Sequence, residues 1–121
     1  MKPIGSDERR VVNLKGAAFE PWDADGITER GTSILQLNPT AARGTGFYIY
    51  KMEPGASSAP HRHGGAEEFL VIEGEIVDND GTIYRAGDVV WLAPGTEHNS
   101  HSPTGALIAV YAEKEETTLE G

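Results

Sequence analysis

Short runs of strand-forming residues, separated by turn residues, limit most strongly how this chain can fold. Val, Ile, Tyr and Phe recur in brief segments, and no long helical periodicity interrupts them. The pattern predicts strands at residues 33–37, 45–52, 68–78, 82–84, 89–92 and 106–112. Turn sequences such as Asn79-Asp80-Gly81 stand between them. So many short strands in 121 residues indicate an all-β domain that closes into a barrel or jelly roll.

The length allows one domain with two flanking segments. We expect the barrel to occupy residues 27–112. An N-terminal arm, residues 1–26, is expected to pack on the barrel through Phe19 and Trp22. The remaining residues, 113–121, form a polar tail that we expect to fray.

Charge balance and cysteine content exclude several functions. The chain has 10 Lys and Arg residues against 19 Asp and Glu, a formal net charge of -9, and its basic residues form no cluster. A nucleic-acid partner is not expected, because such proteins concentrate positive charge on one face. The absence of cysteine excludes disulfides, thiolate metal sites and cysteine nucleophiles. No segment resembles a signal peptide or membrane span, so we expect a cytoplasmic protein without a membrane partner.

Two histidines and a glutamate pair surround two glycines. His61 and His63 are one residue apart, so on a strand their side chains share one face, about 6–7 Å apart along the chain. The glycines that follow permit a tight reversal, after which a strand returns beside them. Alternation leaves both Glu67 and Glu68 as candidates to point towards the histidines, because both faces of that strand are apolar. Imidazoles and a carboxylate so placed are potential metal ligands.

The other two histidines follow the turn Ala93-Pro94-Gly95. That turn would direct the chain back towards the barrel. His101 lies three residues further on, so in an extended segment it points away from His98. We expect His101 to be exposed or to support the site only indirectly.

These residues resemble the first sequence motif of the cupin superfamily. That motif runs glycine, five residues, His-x-His, three or four residues, glutamate, six residues, glycine. It is matched from Gly55 through His61, His63 and Glu67 to Gly74. The spacing to the last glycine selects the first of the two glutamates.

The second cupin motif is also present, with two departures. It is matched from Gly87 through Pro94-Gly95 to His98. The proline is displaced by one position, so that Ala93 stands in its usual place, and Ser102 occupies the usual asparagine position. Neither position is usually a ligand in this superfamily, so the resemblance still implies a complete ligand set.

The resemblance implies a cupin barrel in which His61, His63, Glu67 and His98 hold one divalent metal ion per chain. Such ligands suit Fe, Zn, Mn, Ni, Co or Cu, with Fe expected for a dioxygenase. Four ligands on a six-coordinate ion would leave two positions for water, dioxygen or a small molecule. No other cofactor is expected, and the sequence identifies no catalytic residue beyond the ligands. A metal-free structural protein is the alternative.

Aromatic side chains on the predicted strands are candidates for a pocket beside the ion. Most such residues fill the core of a small barrel, but apolar walls would favour a compact ligand over a sugar. The candidates are Phe47 or Tyr48, and Tyr50, Phe69, Trp91 and Tyr111.

The stretch HRHGGAEEFLVIEGE is similar to the cupin domain of zinc-binding anti-sigma factors and to small dioxygenases that cleave diketones or hydroxyacetophenones. Those anti-sigma factors hold the sigma factor with a separate cysteine-containing domain, which disfavours that activity in a cysteine-free chain. The resemblance therefore implies a dioxygenase for a carbonyl or phenolic compound. A non-catalytic domain that binds or senses a small molecule is the alternative. Cupins commonly pair, and we expect a homodimer formed through exposed sheet edges.

Overall fold

The computed structural model describes residues 1–24 and 27–119, and every regular element among them is a β-strand. The strands are β1 (Glu20–Ala24), β2 (Ile27–Leu35), β3 (Gly46–Met52), β4 (His61–His63), β5 (Glu67–Asp78), β6 (Ile83–Arg85), β7 (Val89–Leu92), β8 (Glu97–His98), β9 (Ser100–His101), β10 (Ala106–Ala112) and β11 (Glu116–Thr118). The predicted all-β class is confirmed. None of these described residues belongs to a helix with the length and hydrophobicity of a membrane span.

A curled antiparallel sheet of eight strands forms most of the fold. Its order is β1-β2-β3-β10-β5-β6, and β7 and β9 also pair with β5. Two sets of partners fit on β5 because it is 12 residues long. Its first residues pair with β7 and its last with β6 and β9. A second sheet, in the order β11-β4-β8, carries three of the four histidines.

The long strand β5 bends between its two sets of partners. Its register with β10 shifts between Leu107 and Ile108, which indicates a β-bulge in β5. Close to this bulge, Gly74 of β5 has a φ of 82°. A Cβ on Gly74 would lie 1.9 Å from the carbonyl oxygen of Gly105. The last glycine of the first motif is therefore required for close packing of two backbones.

The hydrophobic core lies on the inner face of the large sheet. Alternate residues of β10 point inwards, as expected for a strand with one face on the core. The indole of Trp22 packs against Tyr48 and Tyr50, with ring centroids 5.8 and 5.5 Å away. The buried cluster also includes Ile34, Met52, Ala56, Phe69, Val71, Ile76, Ala106, Ile108, Val110 and Ala112.

Strand pairing continues on both sides of residues 27–112. On the N-terminal side β1 pairs with β2 and buries Trp22. The prediction that the tail frays is wrong, because β11 pairs with β4 and places Glu116 opposite His63. Backbone pairing explains this, since it satisfies the amides of an otherwise open strand edge whatever the side chains are. Residues 120 and 121 of the predicted tail lie outside the described residues.

Candidate metal centre

Three imidazoles converge at one end of the small sheet. His61 and His63 point inwards from β4 and are buried, whereas Arg62 between them is exposed and pairs with Glu97. β8 pairs with β4 so that His98 lies opposite His61. The three ring centroids are 4.6, 4.8 and 5.0 Å apart. The structure thus brings together all three histidines that the sequence proposed as ligands.

Hydrogen bonds fix which nitrogen faces the centre in the two histidines of β4. The Nδ1 of His61 donates to the carbonyl oxygen of Ala59 at 2.8 Å. The Nδ1 of His63 lies 2.9 Å from the hydroxyl of Thr96, which itself donates to the carbonyl oxygen of Ala93 at 2.7 Å. Because that hydroxyl proton is already used, Thr96 accepts from His63. Both rings therefore carry their proton on Nδ1 and a lone pair on Nε2.

His98 is oriented in the same way by a buried carboxylate. Its Nδ1 donates to Asp78 at 3.1 Å, and the same carboxylate accepts hydrogen bonds from Tyr84 at 2.7 Å and from Ser100. Burial alone would raise the pKa of Asp78, but the hydrogen bonds from His98, Ser100 and Tyr84 outweigh it and lower the pKa. Asp78 is therefore a carboxylate that fixes the tautomer of His98.

Two carboxylates face these lone pairs. Glu67 Oε2 lies 2.8 Å from His63 Nε2, and Glu116 Oε2 lies 3.3 Å from His61 Nε2. Glu68 is exposed on the other face of β5, so of the two candidates the first points to the centre. Although Glu67 lies this close, His63 Nε2 is a buried atom that makes no hydrogen bond within the described residues.

The potential ligand atoms of these five side chains fit a divalent cation. Ligand atoms of His61, His63 and His98 lie within 4.8 Å of one another, and so do those of His63, Glu67 and Glu116. The imidazoles offer lone pairs and the carboxylates offer negative charges, and such groups repel one another when they are brought together in a buried site. A cation among them relieves that arrangement, and imidazole with carboxylate is a ligand set of Fe, Zn, Mn, Ni, Co and Cu.

Comparison with known proteins identifies the family. The family model for the ChrR cupin-like domain matches residues 7–115. The chain belongs to this family. The predicted membership of the cupin superfamily is thereby confirmed. No curated protein matches this cupin.

Solved structures share the fold of this cupin at low sequence identity. An acetylacetone dioxygenase from Acinetobacter johnsonii is 16% identical with a TM-score of 0.74, over 99% of this chain and 83% of that one. The polyketide cyclase RemF from Streptomyces resistomycificus is 18% identical with a TM-score of 0.71, over 93% and 87% of the two chains. The complex of Rhodobacter sphaeroides SigE with the anti-sigma ChrR gives 18% identity and a TM-score of 0.66, over 84% and 51%. These likenesses establish the fold of this cupin.

An apolar cavity opens beside the centre of this cupin. It contains about 530 Å³ of empty space, part of which is open to solvent, and His61, His98, Glu67 and Glu116 lie in its wall. Three of the predicted pocket residues also line it, namely Tyr48, Tyr50 and Phe69.

Two of the predicted pocket residues lie elsewhere. Trp91 is 62% exposed and Tyr111 is 52% exposed, both on the outer face of the large sheet. Their neighbours Val90 and Val110 point inwards instead, because successive residues of a strand face opposite sides. The prediction that Trp91 and Tyr111 line the pocket is wrong. Phe47, the alternative to Tyr48, is also exposed.

Two acidic residues of the cavity were not predicted. Glu29 accepts hydrogen bonds from the hydroxyl of Tyr50 and from that of Thr32, each at 3.1 Å, and from the amide of Ala59. Burial, followed by the charge of Glu29, raises the pKa of Tyr50 well above its usual value. Glu116 was missed because the tail was expected to fray. Neither glutamate belongs to a sequence motif that would have marked it.

His61 is expected to stay neutral far below the usual pKa of histidine. Burial, followed by the proximity of His98 and His63 among the causes that lower it, brings its pKa from 6.5 to about 4. Because the unfolded chain takes up this proton near pH 6.5 and the folded protein does not, the metal-free protein should lose stability as pH falls towards 4, by up to about 3 kcal/mol.

Histidine proton resonances of the metal-free protein, followed by NMR as a function of pH, test this expectation. We expect His61 to be half-protonated at a pH of about 4. The same chain unfolded in urea is the control and should titrate near pH 6.5. A folded-state midpoint equal to that of the unfolded chain would contradict the burial of this imidazole.

Proposed function

We propose that this protein is a mononuclear metal-dependent dioxygenase that acts on a small carbonyl or phenolic compound. The observation that carries the proposal is the convergence of three imidazoles and two carboxylates, all of which except His63 lie in the wall of an apolar cavity. His61, His63, Glu67 and His98 would hold the ion. When bound, an Fe(II)-type ion supplies the chemistry that activates dioxygen, which protein side chains alone do not provide.

The residues around the centre suit this role. Ala59, Thr96 and Asp78 hold the three imidazoles in one tautomer and orientation, so that little reorganisation accompanies ligand binding. The rings of Phe69 and Tyr48 contribute apolar surface to the wall of the cavity. No Lys or Arg among the described residues lines it, which argues against a phosphorylated substrate. A compact, uncharged oxygen ligand fits this environment best.

Oxygen uptake tests the proposal. Protein loaded with Fe(II) under anaerobic conditions is transferred to aerated buffer with β-diketones and hydroxyaryl ketones, and dissolved oxygen is recorded. We expect turnover with at least one compound in the wild type and in His101→Gln, because His101 is exposed. We expect none in His98→Gln. Stoichiometric iron without oxygen uptake across the panel would contradict enzymatic activity.

A non-catalytic domain that binds or senses a small molecule is the second candidate. The proximity of Glu116 to His61 favours it, because a further carboxylate leaves less of the ion open to reactants. Its expected signature is saturable ligand binding to the metal-loaded protein, measured by calorimetry, without consumption of ligand or oxygen. Chemical conversion of any bound compound would decide for the enzyme.

We further propose that two chains pair through the outer face of the large sheet, rather than through the sheet edges expected from the sequence. Neighbouring strands align Phe47, Tyr111, Glu68 and Trp91 in one row across this face. The adjacent row contains the partly or largely exposed Leu70 and Val89. Only one charged residue, Glu68, interrupts the aromatic row although the chain has a net charge of -9. A largely apolar face of this kind is typical of a protein interface.

Light scattering measures the expected pairing. The wild type should have twice the chain mass of 13.0 kDa. Phe47→Gln combined with Trp91→Gln should halve the mass, because these substitutions remove exposed apolar surface without touching the core. The matched control is Val11→Gln together with Val12→Gln, in the exposed N-terminal arm. A wild-type mass of one chain would rule out the pairing.

A further inference from the structure

The tail strand brings Glu116 beside the histidines, where the sequence predicted only Glu67 as a carboxylate ligand. Its Oε2 lies 3.3 Å from His61 Nε2, and its carboxylate belongs to the same group of potential ligands as His63 and Glu67. The observed separations of 3.3 Å here and of 2.8 Å between His63 and Glu67 both suit neighbouring ligands of one ion.

The backbone around the glycine pair holds the tail in this position. A Cβ on Gly64 would lie 2.5 Å from the carbonyl oxygen of Glu115, and one on Gly65 would lie 2.9 Å from the Cβ of Glu113. Neither glycine has a positive φ. The pair therefore permits the close approach of the tail.

Hydrogen bonds fix the tail on both sides of Glu116. The amide of Glu113 donates to Ala66, and the amide of Ala66 donates to the Glu113 carboxylate, each at 3.0 Å. Beyond the strand, the amide of Leu119 donates to Pro60 at 2.8 Å. Contacts on both sides keep the position of Glu116 well defined.

We propose that Glu116 is a fifth protein ligand of the ion, which a chelating small molecule must displace from the centre. The inference rests on the metal centre proposed above. Five protein ligands on a six-coordinate ion leave one position, which is enough for a monodentate ligand. A ligand that binds through two oxygens needs a second position. Of the two carboxylates, Glu116 is the more accessible, with its side chain 18% exposed against 12% for Glu67, and rotation of that side chain frees the position without moving the tail backbone. Glu116 thus sets which ligands the centre admits.

If a chelating ligand must displace Glu116, removal of this carboxylate should weaken binding of the metal and strengthen binding of the chelating ligand. Replacing Glu116 by Gln removes the negative ligand but keeps the shape and polarity of the side chain. We expect the dissociation constant for Co²⁺, measured by competition with a chromophoric chelator, to rise at least about tenfold. Acetohydroxamate, which chelates through two oxygens, should bind the Co²⁺-loaded variant at least about tenfold more tightly. Azide, a monodentate ligand, should bind within about twofold of the wild type.

Matched variants and a spectroscopic readout complete the experiment. Glu115→Gln removes the same charge one residue away, on an exposed side chain, and should leave all three constants unchanged. Glu116→Asp keeps the charge on a shorter side chain and should fall between wild type and Glu116→Gln. The visible absorption of bound Co²⁺ should change in Glu116→Gln, because one ligand is lost, and remain unchanged in Glu115→Gln.

The possible outcomes separate this inference from the proposed function. A wild type that binds no Co²⁺ overturns the metal centre itself. Wild-type binding with an unchanged constant and spectrum in Glu116→Gln overturns only the role of Glu116. Weaker binding of both Co²⁺ and acetohydroxamate in that variant indicates general damage and also overturns the displacement. Weaker metal binding together with tighter acetohydroxamate binding is the result we expect.

Discussion

Protein carrying His63→Gln is expected to lose its metal almost completely. The imidazole is 3% exposed and lies next to the other potential ligands, so its loss leaves a gap that solvent fills poorly. An amide is also a much weaker metal ligand than imidazole. We expect elemental analysis of protein purified without chelators to give close to one equivalent for the wild type and below about 0.2 for the variant.

The matched control is His101→Gln, which removes an imidazole from an exposed position three residues from His98. It should retain the wild-type metal content. Circular dichroism of His63→Gln shows whether the variant is folded. A folded His63→Gln protein with the wild-type metal content would contradict the proposed centre, because the ion would then be bound elsewhere.

Gly74→Ala is expected to lower the free energy of unfolding more than an alanine at Gly64 or Gly65 would. The new Cβ would meet the carbonyl oxygen of Gly105 at 1.9 Å and the Cα of Ala106 at 2.9 Å, and both are backbone atoms that cannot rotate away. The positive φ adds a further penalty for any side chain. We expect a loss of more than about 4 kcal/mol in the free energy of unfolding, measured by urea denaturation.

Gly81→Ala isolates the steric part of this effect. Gly81 also has a positive φ, 89°, but its Cβ would have no neighbour within 4 Å. It should cost only about 1–2 kcal/mol, the penalty of the backbone conformation alone. Equal losses in the two variants would show that the approach of β5 to the turn at Gly105 is not as close as described.

The strands that the sequence predicted best are those with the longest apolar runs. Val89–Leu92 and Ala106–Ala112 have the predicted bounds, because each is an uninterrupted apolar run between clear turns. The two-residue strands that carry His98 and His101 were not predicted, since so short a segment has no periodicity. Their pairing is imposed by the neighbouring backbone.

The orientation of aromatic residues was less accessible from sequence than their position. In β10 every residue is apolar, so the pattern does not reveal which face is inward, and Tyr111 was placed on the wrong one. In polar segments, the sequence did not reveal that a strand forms at all. Glu116 lies in a run of charged and polar residues that reads as a solvated tail, and only its pairing with β4 brings it to the histidines.

The histidine spacing, by contrast, correctly predicted how the three imidazoles are arranged. One residue between His61 and His63 places both rings on one face of β4, and the second motif returns His98 beside them. The hydrogen bonds that fix their tautomers, from Ala59, Thr96 and Asp78, depend on tertiary contacts. These partners lack a motif of their own and became identifiable only in the folded chain.

Anomalous X-ray scattering from a crystal grown with Co²⁺ tests the metal centre most directly. Data collected above and below the cobalt absorption edge locate the ion independently of the protein atoms. We expect one strong peak per chain, about 2.1 Å from the Nε2 atoms of His61, His63 and His98. A cobalt-soaked crystal without a peak among these three nitrogens, or with its strongest peak at other residues, would contradict the proposed centre.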